Sequence, residues 1–499
     1  MSANLYDLFT SRLPADPRTT FLETGDGAKL SYGDIEASAG RMTRLLGDLG
    51  VKPGDRVAAQ VDKSPQAVLL YLACLKAGAV YLPLNPAYTA DEIGYFLGDA
   101  EPRVLVCGPG VAAALTAAAE AAGVGHVLTL GADGSGSLSE QSAGLEPRAG
   151  AVERETDDLA AILYTSGTTG RPKGAMITHA NLASNALALH RIWGWRDGDV
   201  LLHALPIFHV HGLFVALHCA LLNASTVLFL ARFEADAVIE VLPRSTVMMG
   251  VPTFYTRLAG HPGLTPELCA NMRLFISGSA PLGAETFRAF EERSGHRILE
   301  RYGMTETGMI ASNPLNGERL PSTVGFPLPG VRVRLAGEDG GIGILEITGP
   351  NVFKGYWGKE ENTNEDFSPD GWFITGDLAA IGGDGRVSIA GRGKDMIISG
   401  GLNVYPKEIE NQIDGLDGVR ESAVIGIHHP DLGEAVTAVV VADAMGAISE
   451  RSVCQGLDGK LARFKIPKRV FFIDELPRNA MGKVQKAQLR ERFADTFGE

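Results

Sequence analysis

A chain of 499 residues is too long for a single compact core, and about two to four core-bearing units are expected. Its 45% hydrophobic and 21% charged residues, with 61 glycines and 26 prolines, exclude a coiled coil, a collagen-like chain and a mainly disordered one. Forty-five Lys and Arg against 59 Asp and Glu leave a net charge of −14, which sets the molecule as a whole against nucleic acid and anionic membranes.

Residues 1–9 carry Asp7 and lack both a basic start and a long apolar run, so no signal peptide is expected. Apolar runs at 56–61, 104–106 and 126–130 alternate with Ala-rich helical stretches at 35–49, 65–77 and 110–122, the signature of βαβ units and a parallel sheet. Residues 131–155, rich in Gly, Ser and acids, read as a connector, and a second α/β stretch runs from 158 to about 330. Within it, 212–231 contains no Asp, Glu, Lys or Arg, yet His218, Asn223, Ser225 and Thr226 argue for a buried helix and strand rather than a membrane span. From 330 to 389 short strands with turn signals suggest a small β-barrel-like unit. After Gly391-Arg392-Gly393-Lys394-Asp395 the pattern resets into a smaller α+β unit, with strands expected at 396–399, 421–427, 435–442 and 470–473. The five cysteines are scattered and form no Cys-x-x-Cys pair, so neither a disulfide framework nor structural zinc is indicated, and a reducing cytoplasm fits.

Four motifs carry chemistry. Thr165-Ser166-Gly167-Thr168-Thr169-Gly170-Arg171-Pro172-Lys173-Gly174 follows an apolar run and precedes a helical stretch at about 181–190. A strand, a flexible hydroxyl-rich loop with a lysine, then a helix is how backbone N–H groups are aimed at phosphates. The Walker A register does not fit, and a plain surface turn is the alternative. In Glu300-Arg301-Tyr302-Gly303-Met304-Thr305-Glu306-Thr307, Tyr302 can stack on a base, Thr305 donate to phosphate and Glu306 hold a divalent metal. Thr375-Gly376-Asp377 offers a carboxylate to a ribose diol, with Arg392 to join it, and Pro477 to Lys483 forms a late basic loop. Taken singly, each also reads as an ordinary exposed loop.

In this order and spacing the motifs resemble the adenylate-forming superfamily of acyl-CoA synthetases, peptide-synthetase adenylation domains and luciferases, over residues 30–486. The resemblance implies an α/β fold: a large N-terminal domain (1–391) of α/β subdomains plus a small β-barrel, a hinge (392–395), and a smaller mobile α+β C-terminal domain (396–499). It implies a ligase that makes an acyl-adenylate from ATP and a carboxylate, then passes the acyl group to coenzyme A. Lys483 would bridge acid and α-phosphate, with Thr305, Glu306 and His209 in the catalytic set and Glu306 on Mg²⁺. ATP would lie against Thr165, Ser166, Gly167, Thr168, Thr169, Gly170, Lys173, Gly278, Ser279, Ala280, Pro281, Glu300, Arg301, Tyr302, Gly303, Met304, Asp377 and Arg392. Rotation about Lys394 would bring Ser399, Gly400 and Gly401 to coenzyme A.

The acid is read from His203-Ala204-Leu205-Pro206-Ile207-Phe208-His209-Val210-His211-Gly212 and Gly250-Val251-Pro252-Thr253-Phe254-Tyr255-Thr256-Arg257-Leu258. Pro252 suits a helix start, and Arg257 beside Phe254 and Leu258 asks for an anion unless it snorkels to solvent. With Leu274 to Ala280, these runs are similar to the malonyl-CoA synthetases. That narrower resemblance implies that Arg257, Ser279, His209 and Met309 receive malonate. Met309-Ile310-Ala311-Ser312 replaces the Met-Asn-Thr-Ser frequent in that family, leaving room for methylmalonate. A short-chain or aromatic acyl-CoA ligase, with Arg257 outside the pocket, is the alternative. A cytoplasmic monomer or weak homo-oligomer completes the expectation.

Overall fold

A computed structural model describes residues 2–165, 171–400, 402–444, 446–479 and 482–497. The expected alternation appears as a six-stranded sheet in the spatial order His126–Thr129, Val104–Cys107, Arg56–Gln60, Val80–Pro83, Leu159–Thr165, Lys173–Thr178. Its strands pair in parallel up to Leu159–Thr165, and only the last pair is antiparallel. The helix Pro65–Ala77 between two of these strands starts on a Ser64 cap with proline in its first turn and stops at Gly78 in the left-handed region. It is apolar all round, and from Ala67 onward every residue is buried. A helix without a polar face belongs inside, and this one joins the same apolar cluster as side chains from a second, nine-stranded sheet.

The nine-stranded sheet has a parallel core, with Leu299–Met304, Leu274–Ser277, Val247–Gly250, Val200–His203, Thr226–Phe229 and Thr20–Thr24 side by side. The charge-free stretch after residue 210 is a buried helix in two parts, a π-type His211–Leu217 and an α-helical His218–Leu222, followed by the strand Thr226–Phe229. His218 is held inside by the Tyr71 hydroxyl at 2.8 Å from Nε2. Among the described residues no helix is long and apolar enough to cross a membrane.

Two expectations change. The hydroxyl-rich loop leads not into a helix but into the antiparallel strand Lys173–Thr178, and the helix His179–Ile192 starts only after it, capped by Thr178. Lys173–Thr178 is an edge strand, too short for a two-residue alternation to stand out in sequence. The strands on either side of 166–170 are paired antiparallel, and those five residues lie outside the described ones. The unit expected as a small barrel is a four-stranded antiparallel sheet, from Arg332–Asp339 through Ile342–Thr348 and Phe373–Ile381 to Val387–Arg392. Its edge strands are not paired with each other; Val387 bridges to Gly325 instead.

After Gly393–Asp395 the chain forms a five-stranded sheet with two apolar clusters of its own. The strands Val419–His429, Gly433–Ala442 and Arg469–Phe472 lie where the apolar runs place them. The short Leu402–Val404, which pairs with Ile397–Ser399, is an addition.

Candidate active site

The C-terminal ends of the parallel strands in the nine-stranded sheet carry the polar residues, as expected for a ligand crevice in an open α/β sheet. Leu274–Ser277 ends at Gly278 and Ser279; Leu299–Met304 carries Glu300 to Met304 and turns through Thr305 and Glu306 into Gly308–Ser312, which holds Met309. The turn leaves no room for side chains, since a Cβ on Gly303 would lie 2.2 Å from the Gly308 carbonyl oxygen.

One side of the crevice is built around Asp377, which is 3% exposed on the strand Phe373–Ile381. Arg392, its cross-strand neighbour, places Nε 2.8 Å from Asp377 Oδ1, and the Tyr302 hydroxyl donates to Oδ2. Burial and then the Asp377 charge hold the Tyr302 phenol protonated, so it stays a donor. Beside them Glu306 is 6% exposed, and burial raises its pKa. Its Oε1 accepts a 3.3 Å hydrogen bond from Tyr356, whose ring lies 4.8 Å from Lys173 Nζ. Thr165, at the end of Leu159–Thr165, also reaches Glu306. Ser166, Gly167, Thr168, Thr169 and Gly170 lie outside the described residues, as does Gly401.

Glu300 does something the sequence did not suggest. Its Oε1 accepts the Leu282 backbone N–H at 3.0 Å, pinning the loop of Gly278, Ser279, Ala280 and Pro281, while burial pushes the carboxyl up to about 7.

The opposite side is organised around Arg301. The residue is 3% exposed, and among the described residues Nε and one terminal nitrogen have no partner and no carboxylate pairs with it. The guanidinium occupies the space a side chain at Gly278 would need: a Cβ there would lie 2.4 Å from Arg301 Cζ. Burial and the Arg301 charge push His209 down to about 4 and hold His211 well below its ordinary value, so both imidazoles are neutral. Ser279 Oγ lies 3.2 Å from His211 Nδ1, and its residue is held at φ 72°, a strained conformation for serine.

Arg257 does not share this enclosure. It is exposed on the helix Pro252–Ala259, one turn beyond Thr253, while Phe254 stacks on Phe233 on another face at 4.0 Å between centroids. Ile310 and Ala311, the positions that depart from the malonyl-CoA synthetase pattern, are fully buried in the main apolar cluster with Met309.

Lys483 is presented by a tight loop. Its N–H donates to Asn479 Oδ1 at 3.0 Å, and Arg478 holds the Gly482 carbonyl at 2.5 Å and also pairs with Glu421. Gly482, at φ 74°, faces Thr253, whose Oγ1 would lie 3.3 Å from a Cβ added there. Desolvation in the crevice and the Arg392 charge push the Lys483 ammonium down to about 8, although the residue retains solvent contact. Lys394 lies in the turn Gly393–Asp395, whose Asp395 pairs with Arg490. Ser399 and Gly400 stand apart from the crevice in the hairpin of the last sheet, Gly400 donating to the Leu432 carbonyl at 2.8 Å.

Sequence reasoning did not single out Tyr356, Thr253 or His211. All three are ordinary residues in local sequence, and only their approach to Glu306, Gly482 and Ser279 marks them. Among the described residues no three His, Cys, Asp or Glu side chains converge as a metal site.

Family models for "AMP-binding enzyme" and its "C-terminal domain" match residues 9–357 and 408–483. The chain belongs to the AMP-binding enzyme family. Family members of known structure include ATP-bound MatB from Rhodopseudomonas palustris, which is 53% identical, with full coverage of both chains and a TM-score of 0.97. Among family members in sequence, a feruloyl-CoA synthase of Amycolatopsis is 35% identical, covering 97% of each chain. A malonate–CoA ligase of Arabidopsis thaliana is 34% identical, covering 93% of this chain and 85% of its own.

Proposed function

We propose that the protein is an ATP-dependent, AMP-forming malonate–CoA ligase. The observation that carries this reading is Arg301, a buried guanidinium with unpartnered N–H groups beside two neutral imidazoles and Ser279. A charge so enclosed requires an anion, and the second carboxylate of a small diacid supplies it; a monocarboxylate leaves it unpaired. Likeness to MatB and to the plant malonate–CoA ligase supports the same acid. Ser279 and His209 flank the distal carboxylate, Met309 packs behind the turn that borders it, and Arg257 contributes from the mouth. The exposure of Arg257 favours a second reading, a short-chain or aromatic acyl-CoA ligase, but that reading leaves Arg301 unexplained.

In the first half-reaction a carboxylate oxygen of malonate attacks the α-phosphorus of ATP, the bond to the β-phosphate oxygen breaks, and pyrophosphate leaves. Lys483, which follows Gly482 beside Thr253, stabilises charge developing on the α-phosphate and the acid, and Thr305 donates to the phosphate. Asp377 accepts from the ribose hydroxyls, with Arg392 and Tyr302 fixing its orientation; Tyr302 and the loop of Gly278 to Pro281 enclose the base. Glu306, buried beside Tyr356, fits as the carboxylate that would hold a Mg²⁺. When bound, that ion neutralises charge on the polyphosphate. In the second half-reaction the chain divides at 392–395, the unit from 396 onward rotates about Lys394, Lys483 withdraws, and the segment of Ser399 and Gly400 meets coenzyme A. The thiolate attacks the acyl carbon, and the bond to AMP breaks. A cytoplasmic monomer or weak homo-oligomer belongs to the same reading.

Pyrophosphate release with malonate, methylmalonate, acetate, benzoate and ferulate tests it. Malonate is expected to exceed each monocarboxylate by about 100-fold or more in kcat/KM, the cost of leaving a buried charge unpaired. Equal turnover of acetate and malonate overturns the reading.

A further inference from the structure

We infer that Lys63 and His203 are positioning residues that hold the acid-binding loop in register. Lys63 lies between Arg56–Gln60 and Pro65–Ala77, on the six-stranded sheet, while His203 ends Val200–His203 in the nine-stranded one. Lys63 Nζ lies 2.9 Å from the His203 carbonyl oxygen, 2.6 Å from that of Leu230 and 2.8 Å from His203 Nδ1, with the Phe229 ring centroid at 4.3 Å. Burial pulls the lysine well below its ordinary pKa, yet it faces three acceptors, which match the three donors of an ammonium group and not a neutral amine. No carboxylate takes part, so the charge is not there to form an ion pair.

The consequence reaches the site through the imidazole. The Gly212 carbonyl can only accept and burial keeps His203 neutral, so Nδ1 accepts from Lys63 and the ring proton sits on Nε2. That atom lies 3.0 Å from the Gly212 carbonyl oxygen, which can only accept. Lys63 thus selects the tautomer that ties down Gly212. Gly212 closes the loop that carries His209 and His211, and it is folded so tightly that a Cβ would lie 2.1 Å from the Pro206 carbonyl oxygen. His211 Nδ1 in turn meets Ser279 Oγ at 3.2 Å, and the His211 N–H donates to His209 Nδ1 at 3.3 Å. A lysine from the other sheet therefore orients, through one imidazole and one carbonyl, the side chains on the acid side of the crevice. On the nucleotide side, Asp377 and Glu306 share none of these bonds, and the relay meets that side only at Ser279.

This inference rests on the acid-pocket reading above, and the two are separable by experiment. Turnover of malonate by the unaltered enzyme tests that reading. Variants are then compared with it on whichever acid it activates. Lys63→Met and His203→Phe remove the relay; His203→Gln retains a side-chain N–H for Gly212. Steady-state pyrophosphate release and thermal unfolding are measured for each. In the first two variants the KM for the acid is expected to rise about tenfold, with the KM for ATP within about twofold, and His203→Gln is expected to recover most of the loss. A purely structural role lowers the unfolding temperature and the active fraction but leaves both KM values of the folded enzyme alike. Unchanged acid KM, parallel rises for acid and ATP, or a His203→Gln variant no better than His203→Phe overturns the inference. Lys63→Arg, which keeps the charge but not the three-acceptor geometry, carries the same test if Lys63→Met does not fold.

Discussion

Arg392 and Arg301 are treated in opposite ways. Arg392 is matched by Asp377 at 2.8 Å, whereas Arg301 is more deeply buried and has no acid beside it. In the proposed reading, the difference follows the charge of what each side receives. A ribose diol is neutral and needs an acceptor held still, so the protein supplies a carboxylate with its own counter-ion. A second substrate carboxylate is an anion, and a protein acid placed beforehand on Arg301 would compete with it. The unpaired cation costs stability in the empty enzyme, a cost that is offset only on binding.

Arg301→Met breaks the comparison most sharply. We expect kcat/KM for malonate to fall about 1000-fold, equivalent to roughly 4 kcal/mol, while the KM for ATP stays within about twofold. The unliganded variant should also unfold at a higher temperature, because an unpaired buried charge has gone. A lower unfolding temperature with unchanged malonate kinetics would show that Arg301 is a structural cation.

Lys483→Ala comes next. Adenylate formation, read as pyrophosphate release, should drop about 100- to 1000-fold, with thioester formation from supplied malonyl-adenylate reduced far less. The same lysine sets a pH limit. Its pKa is lowered to about 8, so the ammonium form is present below that value and is lost as pH rises through it. Adenylate formation by the wild type should therefore decline on the alkaline side of about pH 8, where free lysine would still be charged. A flat profile to pH 10 contradicts the role of its charge.

Arg392→Gln sharpens the contrast from the other side. It leaves Asp377 without its cation, so the unfolding temperature should fall and the KM for ATP rise about tenfold, with the KM for malonate little changed. Arg257→Ala should be the mildest change, about threefold or less in malonate kcat/KM, since an exposed arginine acts through solvent. A loss as large as that of Arg301→Met would move the distal carboxylate to the helix Pro252–Ala259.

Much of this was legible in the chain. Alternating apolar runs and Ala-rich helices placed the parallel sheets, and the unit after residue 395 has its strands where the runs predict. The motif residues Tyr302, Asp377, Arg392 and Lys483 do gather at one crevice. The hydroxyl-rich loop was less legible, because a short edge strand and a helix start look alike over six residues. The arginines were the least legible: sequence left Arg257 either paired with an anion or turned to solvent, and only the fold shows that it is exposed while Arg301 is buried against Gly278.

By itself the sequence determined which residues are chemically able to bind phosphate, ribose and an acid, and the alternation that makes an α/β fold. Both are written in residue type and local period. Tertiary structure alone decided which arginine lacks a partner, that Glu300 pins a loop, and that Lys63 acts on a histidine 140 residues away. The physical reason is that burial and pairing are properties of neighbours in space. A charge becomes a binding site only when the fold removes water from it and withholds a counter-ion.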